Sequence, residues 1–119
     1  MEARDLHRMS VEEYLTLDRS SDAPIEYVDG QALAMAGGSP EHALVAKNVA
    51  LALTHALRSK PCIVLGESAR VATPRTRAYF HPDVVVVCGP VRRDERDEHA
   101  LVSPTLIVEV LSPSTEDFD

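Results

Sequence analysis

The sequence has few aromatic residues and little positive charge, and each shortage narrows the possible functions. Aromatic residues make up 4% of the 119 positions and tryptophan is absent, whereas 45% of positions are hydrophobic. We therefore expect one domain with an aliphatic core. The formal net charge of -7 argues against broad adhesion to nucleic acid, although a local basic groove remains compatible with it.

The chain also lacks the long apolar runs of membrane and secreted proteins. No uninterrupted apolar run approaches the ~20 residues that cross a bilayer. The first five residues, Met1-Glu2-Ala3-Arg4-Asp5, are charged and do not resemble the start of a signal peptide. We therefore expect a cytoplasmic protein without a membrane partner.

Cysteine is scarce, which limits disulfide frameworks and zinc sites. Cys62 and Cys88 each lie in an apolar, strand-like run. Two cysteines without suitably spaced partners do not make a zinc site. The sequence predicts buried, reduced thiols, as is typical of a cytoplasmic protein.

Local signals predict a short helix followed by a hairpin. Ser10 with Glu13 three residues later forms a capping-box pattern, which predicts a helix ending near Asp18. The pair Asp29-Gly30 separates two apolar runs, residues 25–28 and 31–35. This pair favours the type I′ turn of a tight β-hairpin.

A longer helix is predicted from Glu41 to Arg58. It follows the pair Ser39-Pro40, in which serine is a preferred N-cap and proline a preferred first helical residue. Helical spacing places His42 on the apolar side of the first turn, so we expect it to point towards a sheet. Leu44 and Leu51 fall within the polar arc and indicate a second contact surface.

Two runs rich in β-branched residues each carry one carboxylate. Residues 84–87 are apolar on both faces, which predicts a strand covered on both sides, and Asp83 stands at its start. Glu109 stands inside the second run, residues 104–111. Burying an unpaired carboxylate costs several kcal/mol, so such a group is normally paired or bound to a cation. Two carboxylates on neighbouring strands predict a site for a hard divalent cation.

The ordered motifs resemble the Uma-two family of restriction-endonuclease-like proteins, within the PD-(D/E)XK nuclease superfamily. The early Met9-Ser10-Val11-Glu12-Glu13-Tyr14 also fits this family. The four motifs that carry the resemblance are Ile25-Glu26-Tyr27-Val28-Asp29-Gly30, Gly37-Gly38-Ser39-Pro40-Glu41-His42, His81-Pro82-Asp83-Val84-Val85-Val86 and Val108-Glu109-Val110-Leu111-Ser112-Pro113-Ser114-Thr115.

The resemblance implies an α/β (α+β) fold with a restriction-endonuclease-like core: a mixed, mainly antiparallel sheet with flanking helices, forming one domain over residues 1–119 whose C-terminal part is missing. It implies Asp83 and Glu109 as ligands of Mg²⁺ or Mn²⁺, with Glu26 as a further acidic catalytic residue. The implied reaction is hydrolysis of DNA phosphodiester bonds, in which the metal polarises the phosphate and orients the attacking water.

The sequence departs from the superfamily pattern at its basic residue. Leu111 stands where the pattern has lysine, and no lysine follows Lys60. In the family the missing basic residue belongs to the helix after residues 112–115. The leading hypothesis is therefore a metal-dependent DNA endonuclease, which the shortening could leave inactive. The alternative is a non-catalytic interaction module with a nuclease-like core. An uncovered sheet edge or apolar face would then favour a homo-oligomer. A metal-dependent hydrolase of another substrate is a third reading.

Asp83 and Glu109 also have ordinary structural explanations. Asp83 could accept backbone N–H groups at the start of its strand, and Glu109 could form an ion pair with a buried arginine such as Arg70. The charged residues 89–100 fit a solvated loop, or an arm whose arginines contact phosphate.

The remaining candidates leave alternatives open as well. Glu26 could be a solvent-facing strand residue instead of a ligand. His42 could be a core histidine bonded to a loop carbonyl, or a catalytic residue that orients substrate or a metal-bound water. His81 would share a strand face with Asp83 under strand alternation, which would allow a shared metal.

Overall fold

The computed structural model describes residues 8–34, 38–73, 75 and 77–111. This part of the chain contains two helices and nine strands. None of its helices is both long enough and apolar enough to cross a bilayer. The elements are α1 (Val11–Ser20), β1 (Ile25–Val28), β2 (Gln31–Ala34), α2 (Pro40–Ala56), β3 (Cys62–Leu65), β4 (Arg70–Thr73), β5 (Ala78–Phe80), β6 (Val84–Cys88), β7 (Arg92–Arg93), β8 (Ala100–Val102) and β9 (Leu106–Val108).

The local signals at α1 and the hairpin are confirmed. Ser10 Oγ accepts the Glu13 N–H at 3.1 Å, and the Glu13 carboxylate accepts the Ser10 N–H at 2.8 Å. The turn between β1 and β2 has φ angles of 46° at Asp29 and 90° at Gly30, as a type I′ turn requires. Helix α1 continues to Ser20, beyond the predicted end, and Met35 lies outside the described residues.

Helix α2 begins where its sequence predicts and is covered on one side only. Ser39 Oγ accepts the His42 N–H at 3.1 Å, and Pro40 is the first helical residue. The helix packs on β3 and β6, but none of its residues is fully buried. Leu44 and Leu51 remain 56% and 57% exposed, so the second contact surface stays a prediction.

The strands form a larger and a smaller sheet, in agreement with the predicted mixed, mainly antiparallel architecture. The larger sheet has the order β2-β1-β5-β4-β8-β7, in which β4 and β8 are parallel and the other neighbours antiparallel. The smaller sheet has the antiparallel order β3-β6-β9. Residues 89–100 are not simply a solvated loop, because they contain β7, enter β8 and bury Asp97 to 4% exposure.

Two hydrophobic clusters lie on opposite faces of the larger sheet. One cluster joins α1 to the larger sheet around the three tyrosines of the chain. The expectation of an aliphatic core is therefore wrong for this cluster. The ring of Tyr14 lies 4.9 Å from that of Tyr27 and 5.3 Å from that of Tyr79. The second cluster is aliphatic and joins the two sheets through Val71, Val85, Val87 and Leu101.

Arg70 pairs with two aspartates, so the predicted alternative of an ion pair with Glu109 is wrong. Its guanidinium donates to Asp97 at 2.6 Å and also to Asp18, and it lies 5.9 Å from the ring of Tyr14. This network ties α1, β4 and the segment before β8 together. The three charged groups are largely buried and are paired with one another. Removal of one partner would leave an unpaired buried charge, which is strongly destabilising.

The prediction of buried, reduced cysteines is wrong. Cys62 and Cys88 are register partners on β3 and β6 and are joined by a disulfide. Cys88 is exposed and Cys62 only half-buried. Which residues face each other across two strands depends on the register, and the apolar pattern of each run does not fix it. The cytoplasmic location, which rested partly on reduced thiols, stays a prediction.

Reduction of this disulfide is expected to destabilise the fold. The cross-link closes a loop with a sequence separation of 26 residues. Opening a loop of that size removes about 3–4 kcal/mol of stabilisation in the chain-entropy description. Urea unfolding with and without a phosphine reductant measures the loss as a lower midpoint. A Cys62→Ala/Cys88→Ala variant should not respond to the reductant. An unchanged midpoint for the unmodified chain would contradict this expectation.

Candidate active site

The register between β6 and β9 brings the two predicted carboxylates together. Val84 pairs with Val108 in antiparallel register. The next residues outward from this pair are Asp83 and Glu109, so they leave the ladder opposite each other. Strand β9 ends at Val108, however, and the prediction that Glu109 lies deep inside a strand is wrong. Glu109 occupies the segment just beyond the strand, where its backbone is not held in the ladder.

Two hydrogen bonds connect Asp83 with the segment that carries Glu109. The Asp83 N–H donates to Glu109 Oε1 at 3.4 Å, and the Val110 N–H donates to Asp83 Oδ2 at 2.7 Å. The ordinary explanation for Asp83, a carboxylate that accepts a backbone N–H, is therefore present. This hydrogen bond does not use the full acceptor capacity of the Asp83 carboxylate, because a carboxylate has about four lone-pair sites.

The electrostatics of the pair favour binding of a cation. Burial first, and the negative charge of Asp83 second, raise the pKa of Glu109 above its ordinary value. The charge of Glu26 acts in the same direction, whereas the hydrogen bond from the Asp83 N–H opposes it. The residue Glu109 is exposed as a whole, but its carboxyl group lies against Asp83, whose side chain is only 14% exposed. A cation between them would relieve this repulsion.

Glu26 is half-buried and holds the backbone just before Asp83 through a hydrogen bond. Its neighbour Tyr27 packs against α1, so strand alternation turns Glu26 to the other face of the larger sheet. Its Oε2 accepts the His81 N–H at 2.9 Å. The alternative of a solvent-facing strand residue is wrong for this geometry. Its effect on the pKa of Glu109 places it in the same electrostatic neighbourhood.

His81 is held by the backbone and is 7% exposed. Its Nδ1 lies 3.0 Å from the Glu67 carbonyl oxygen, and its Nε2 has no hydrogen-bond partner in the described part of the chain. The predicted strand face shared with Asp83 does not form, because β5 ends at Phe80 and β6 begins at Val84.

His42 reaches Asp83 from the first turn of α2. Its Nε2 lies 3.3 Å from Asp83 Oδ2, so it points towards the sheet as expected. The alternative contact with a loop carbonyl is not the one formed. A Cβ on Gly38 would lie 2.8 Å from His42 Nδ1, so the glycine leaves room for the ring. His42 is therefore held beside Asp83 by three local features: the Ser39 cap, Pro40 at the start of the helix and the space left at Gly38.

A groove of about 320 Å³ opens beside Asp83 and His42. Small residues of α2 line one side of it, and Lys47 and Glu67 also face it. Lys47 is not among the site residues predicted from the sequence. The signal that could have found it is helical spacing. Lys47 lies four residues after Ala43, on the turn that follows His42, and residues four apart lie on the same side of a helix. A separate cavity of about 530 Å³ beside α1 carries three arginines and shares no lining residue with the groove.

The donor set suits a partly hydrated magnesium-type ion. No group of three or more His, Cys, Asp or Glu side chains within residues 8–34, 38–73, 75 and 77–111 is arranged to hold a metal ion. Mg²⁺ is usually held by one or two carboxylates, several waters and substrate oxygens, without an all-protein cage. Asp83 and Glu109 fit that requirement. Leu111, at 54% exposure, supplies no charge where the superfamily pattern has lysine.

Comparison with known proteins gives one family and two curated relatives. The Uma2 family model, described as "Putative restriction endonuclease", matches residues 11–119. The uncharacterised protein slr1290 of Synechocystis sp. is 36% identical over 112 residues, which cover 94% of this chain and 58% of that protein. The uncharacterised protein sll1609 of the same organism is 26% identical over 111 residues, which cover 93% of this chain and 63% of that protein.

One solved structure shares the fold. It is the crystal structure from Anabaena variabilis titled as a putative nuclease belonging to DUF820, with a TM-score of 0.72 and 19% identity. The match covers 89% of this chain and 60% of that chain. This chain thus spans about 60% of the length of the proteins it matches.

Glu109→Gln is expected to stabilise the fold when no divalent cation is present. A raised pKa means that the folded state holds a proton more tightly, so stability falls as pH rises from the ordinary pKa of glutamate through the raised one. Glutamine keeps an acceptor for the Asp83 N–H and removes the charge. The melting temperature at neutral pH should rise by a few degrees, and this pH dependence should flatten. The exposed Glu95→Gln is the control, and a lower melting temperature for Glu109→Gln would contradict the expectation.

Proposed function

This chain belongs to the Uma2 family, and from that membership and the paired carboxylates we propose that it is a metal-dependent nuclease that hydrolyses phosphodiester bonds in DNA. The observation that carries the proposal is the proximity of the two carboxylates: the Asp83 N–H donates to Glu109, and the Asp83 carboxylate accepts the N–H of the next residue, Val110. A nuclease-like function is also what the family description indicates.

Asp83 and Glu109 would hold Mg²⁺ or Mn²⁺ through carboxylate oxygens. The raised pKa of Glu109 supports this assignment, because two adjacent carboxylates ionise together more readily beside a cation. When bound, the ion supplies a Lewis acid that polarises a phosphate. The Val110 N–H and His42 on α2 hold the Asp83 carboxylate in place, and the Asp83 N–H holds that of Glu109.

Glu26 and His42 would support the pair formed by Asp83 and Glu109. Glu26 holds the backbone of His81, two residues before Asp83, and adds negative charge to the site. His42 positions the Asp83 carboxylate and faces the groove, where it would orient substrate. In the proposed reaction a water oxygen forms a bond to phosphorus, the bond from phosphorus to one sugar oxygen breaks, and that oxygen takes a proton.

DNA is the proposed partner, and its contacts would be local. The formal net charge of -7 repels a polyanion at long range, so binding depends on the groove and on bound cations. The family description favours DNA over the other substrates of a metal-dependent hydrolase. A non-catalytic interaction module is the second candidate, and the uncharged Leu111 is the observation that favours it.

Loss of either carboxylate should abolish metal binding. Asp83→Ala and Glu109→Ala each remove half of the proposed ligand pair, so Mn²⁺ binding measured by calorimetry should disappear. Plasmid cleavage with Mg²⁺ or Mn²⁺ should fall at least about 100-fold. Asp22→Ala, at an exposed position outside the site, is the matched control.

The two candidate functions give different results in these assays. Metal binding together with cleavage supports the nuclease, and metal binding without cleavage supports the interaction module. Unchanged Mn²⁺ titration of both alanine variants would refute the ligand assignment.

We further propose that the chain is one domain that assembles as a homo-oligomer through the exposed side of α2. Leu44 and Leu51 project from it seven residues apart, so they share one face of the helix, and an exposed apolar patch is typical of a contact between proteins. Sedimentation equilibrium should report a dimer or larger species that dissociates on Leu44→Glu/Leu51→Glu substitution. A monomer at all concentrations would contradict this.

A further inference from the structure

Lys47 is the cationic side chain of the groove beside Asp83. The chain has two lysines, Lys47 and Lys60, and only Lys47 lines this groove. Lys60 follows α2 in the turn before β3. Lys47 lies outside the motifs that carry the family resemblance, and its place in the sequence predicts no role for it.

The shape of the groove gives Lys47 access to a ligand that also reaches the carboxylates. Helix α2 contributes Ala43, Ala46 and Ala50 to its wall, and these small side chains leave a shallow trough along the helix. The contact of 3.3 Å between His42 and Asp83 fixes the N-terminal end of this trough beside the proposed metal ligands. Lys47 lines the groove and is exposed, so a ligand in the groove can reach it.

The charges around the groove explain what this lysine could do. Asp83 and Glu67 both face the groove, so an incoming phosphodiester meets negative charge from the protein. A cation at the carboxylate pair offsets part of that charge near Asp83. Lysine is a mobile point charge that binds phosphate well.

We propose that Lys47 binds a backbone phosphate of DNA in this groove, and that the alanine trough of α2 guides the substrate strand past Asp83. This inference rests on the proposed nuclease function. It gives the site a positive charge from α2.

The test measures DNA binding without requiring cleavage. Fluorescence anisotropy of a labelled DNA duplex, titrated at several salt concentrations with Ca²⁺ in place of Mg²⁺, compares the unmodified chain with Lys47→Ala, Lys47→Arg and Lys60→Ala. Lys47→Ala should weaken binding about 10-fold and lower the salt slope by about one. Lys47→Arg should retain binding, and Lys60→Ala should match the unmodified chain. Mn²⁺ titration should be the same for all four proteins.

The outcomes separate this inference from the nuclease proposal. Equal DNA affinity and salt slope for Lys47→Ala and the unmodified chain would overturn the role of Lys47. So would an equal loss in Lys60→Ala, or no measurable DNA binding by the unmodified chain. Absence of Mn²⁺ binding together with Lys47-dependent DNA binding would instead refute the metal-dependent nuclease and keep the phosphate contact.

Discussion

The antiparallel register between β6 and β9 is the constraint on which the site depends. Because Val84 pairs with Val108, Asp83 and Glu109 leave the ladder opposite each other. The Asp83 N–H donates to the Glu109 carboxylate, and the Asp83 carboxylate accepts the N–H of Val110, the residue after Glu109. A shift of one residue would turn every side chain of β9 to the other face. The buried valines of β6 oppose such a shift, since they are covered on both sides. The aliphatic core thus fixes the geometry of a polar site.

The two ends of the site are anchored in different layers of the molecule. Glu26 belongs to the larger sheet, whose other face packs on α1 through the three tyrosines. His42 belongs to α2, which covers the smaller sheet. Asp83 lies between them, in the short connection from β5 to β6. The position of the proposed ligand pair therefore depends on the packing of both sheets, and damage to either layer should disturb it.

The carboxylates that pair with Arg70 have different surroundings from those of the candidate site. Asp18 and Asp97 are satisfied by Arg70, which is buried with them. Glu109, Asp83 and Glu26 lie near one another with a histidine as their nearby basic group, and the pKa of Glu109 is raised as a result. A carboxylate whose pKa is raised by burial and by a neighbouring carboxylate is a candidate functional group. This contrast supports the proposed metal ligands.

The sequence by itself determined the features that depend on neighbouring residues. The capping box at Ser10, the turn at Asp29-Gly30 and the start of α2 at Pro40 follow from backbone bonds within a few positions, as does Asp83 at the head of its strand. Only the tertiary structure decided the partners of Arg70, the disulfide, the place of Glu109 beyond β9 and the exposure of Lys47 to the groove. These features join residues that are distant in the chain, and their geometry is set by strand register and layer packing, which local patterns do not specify.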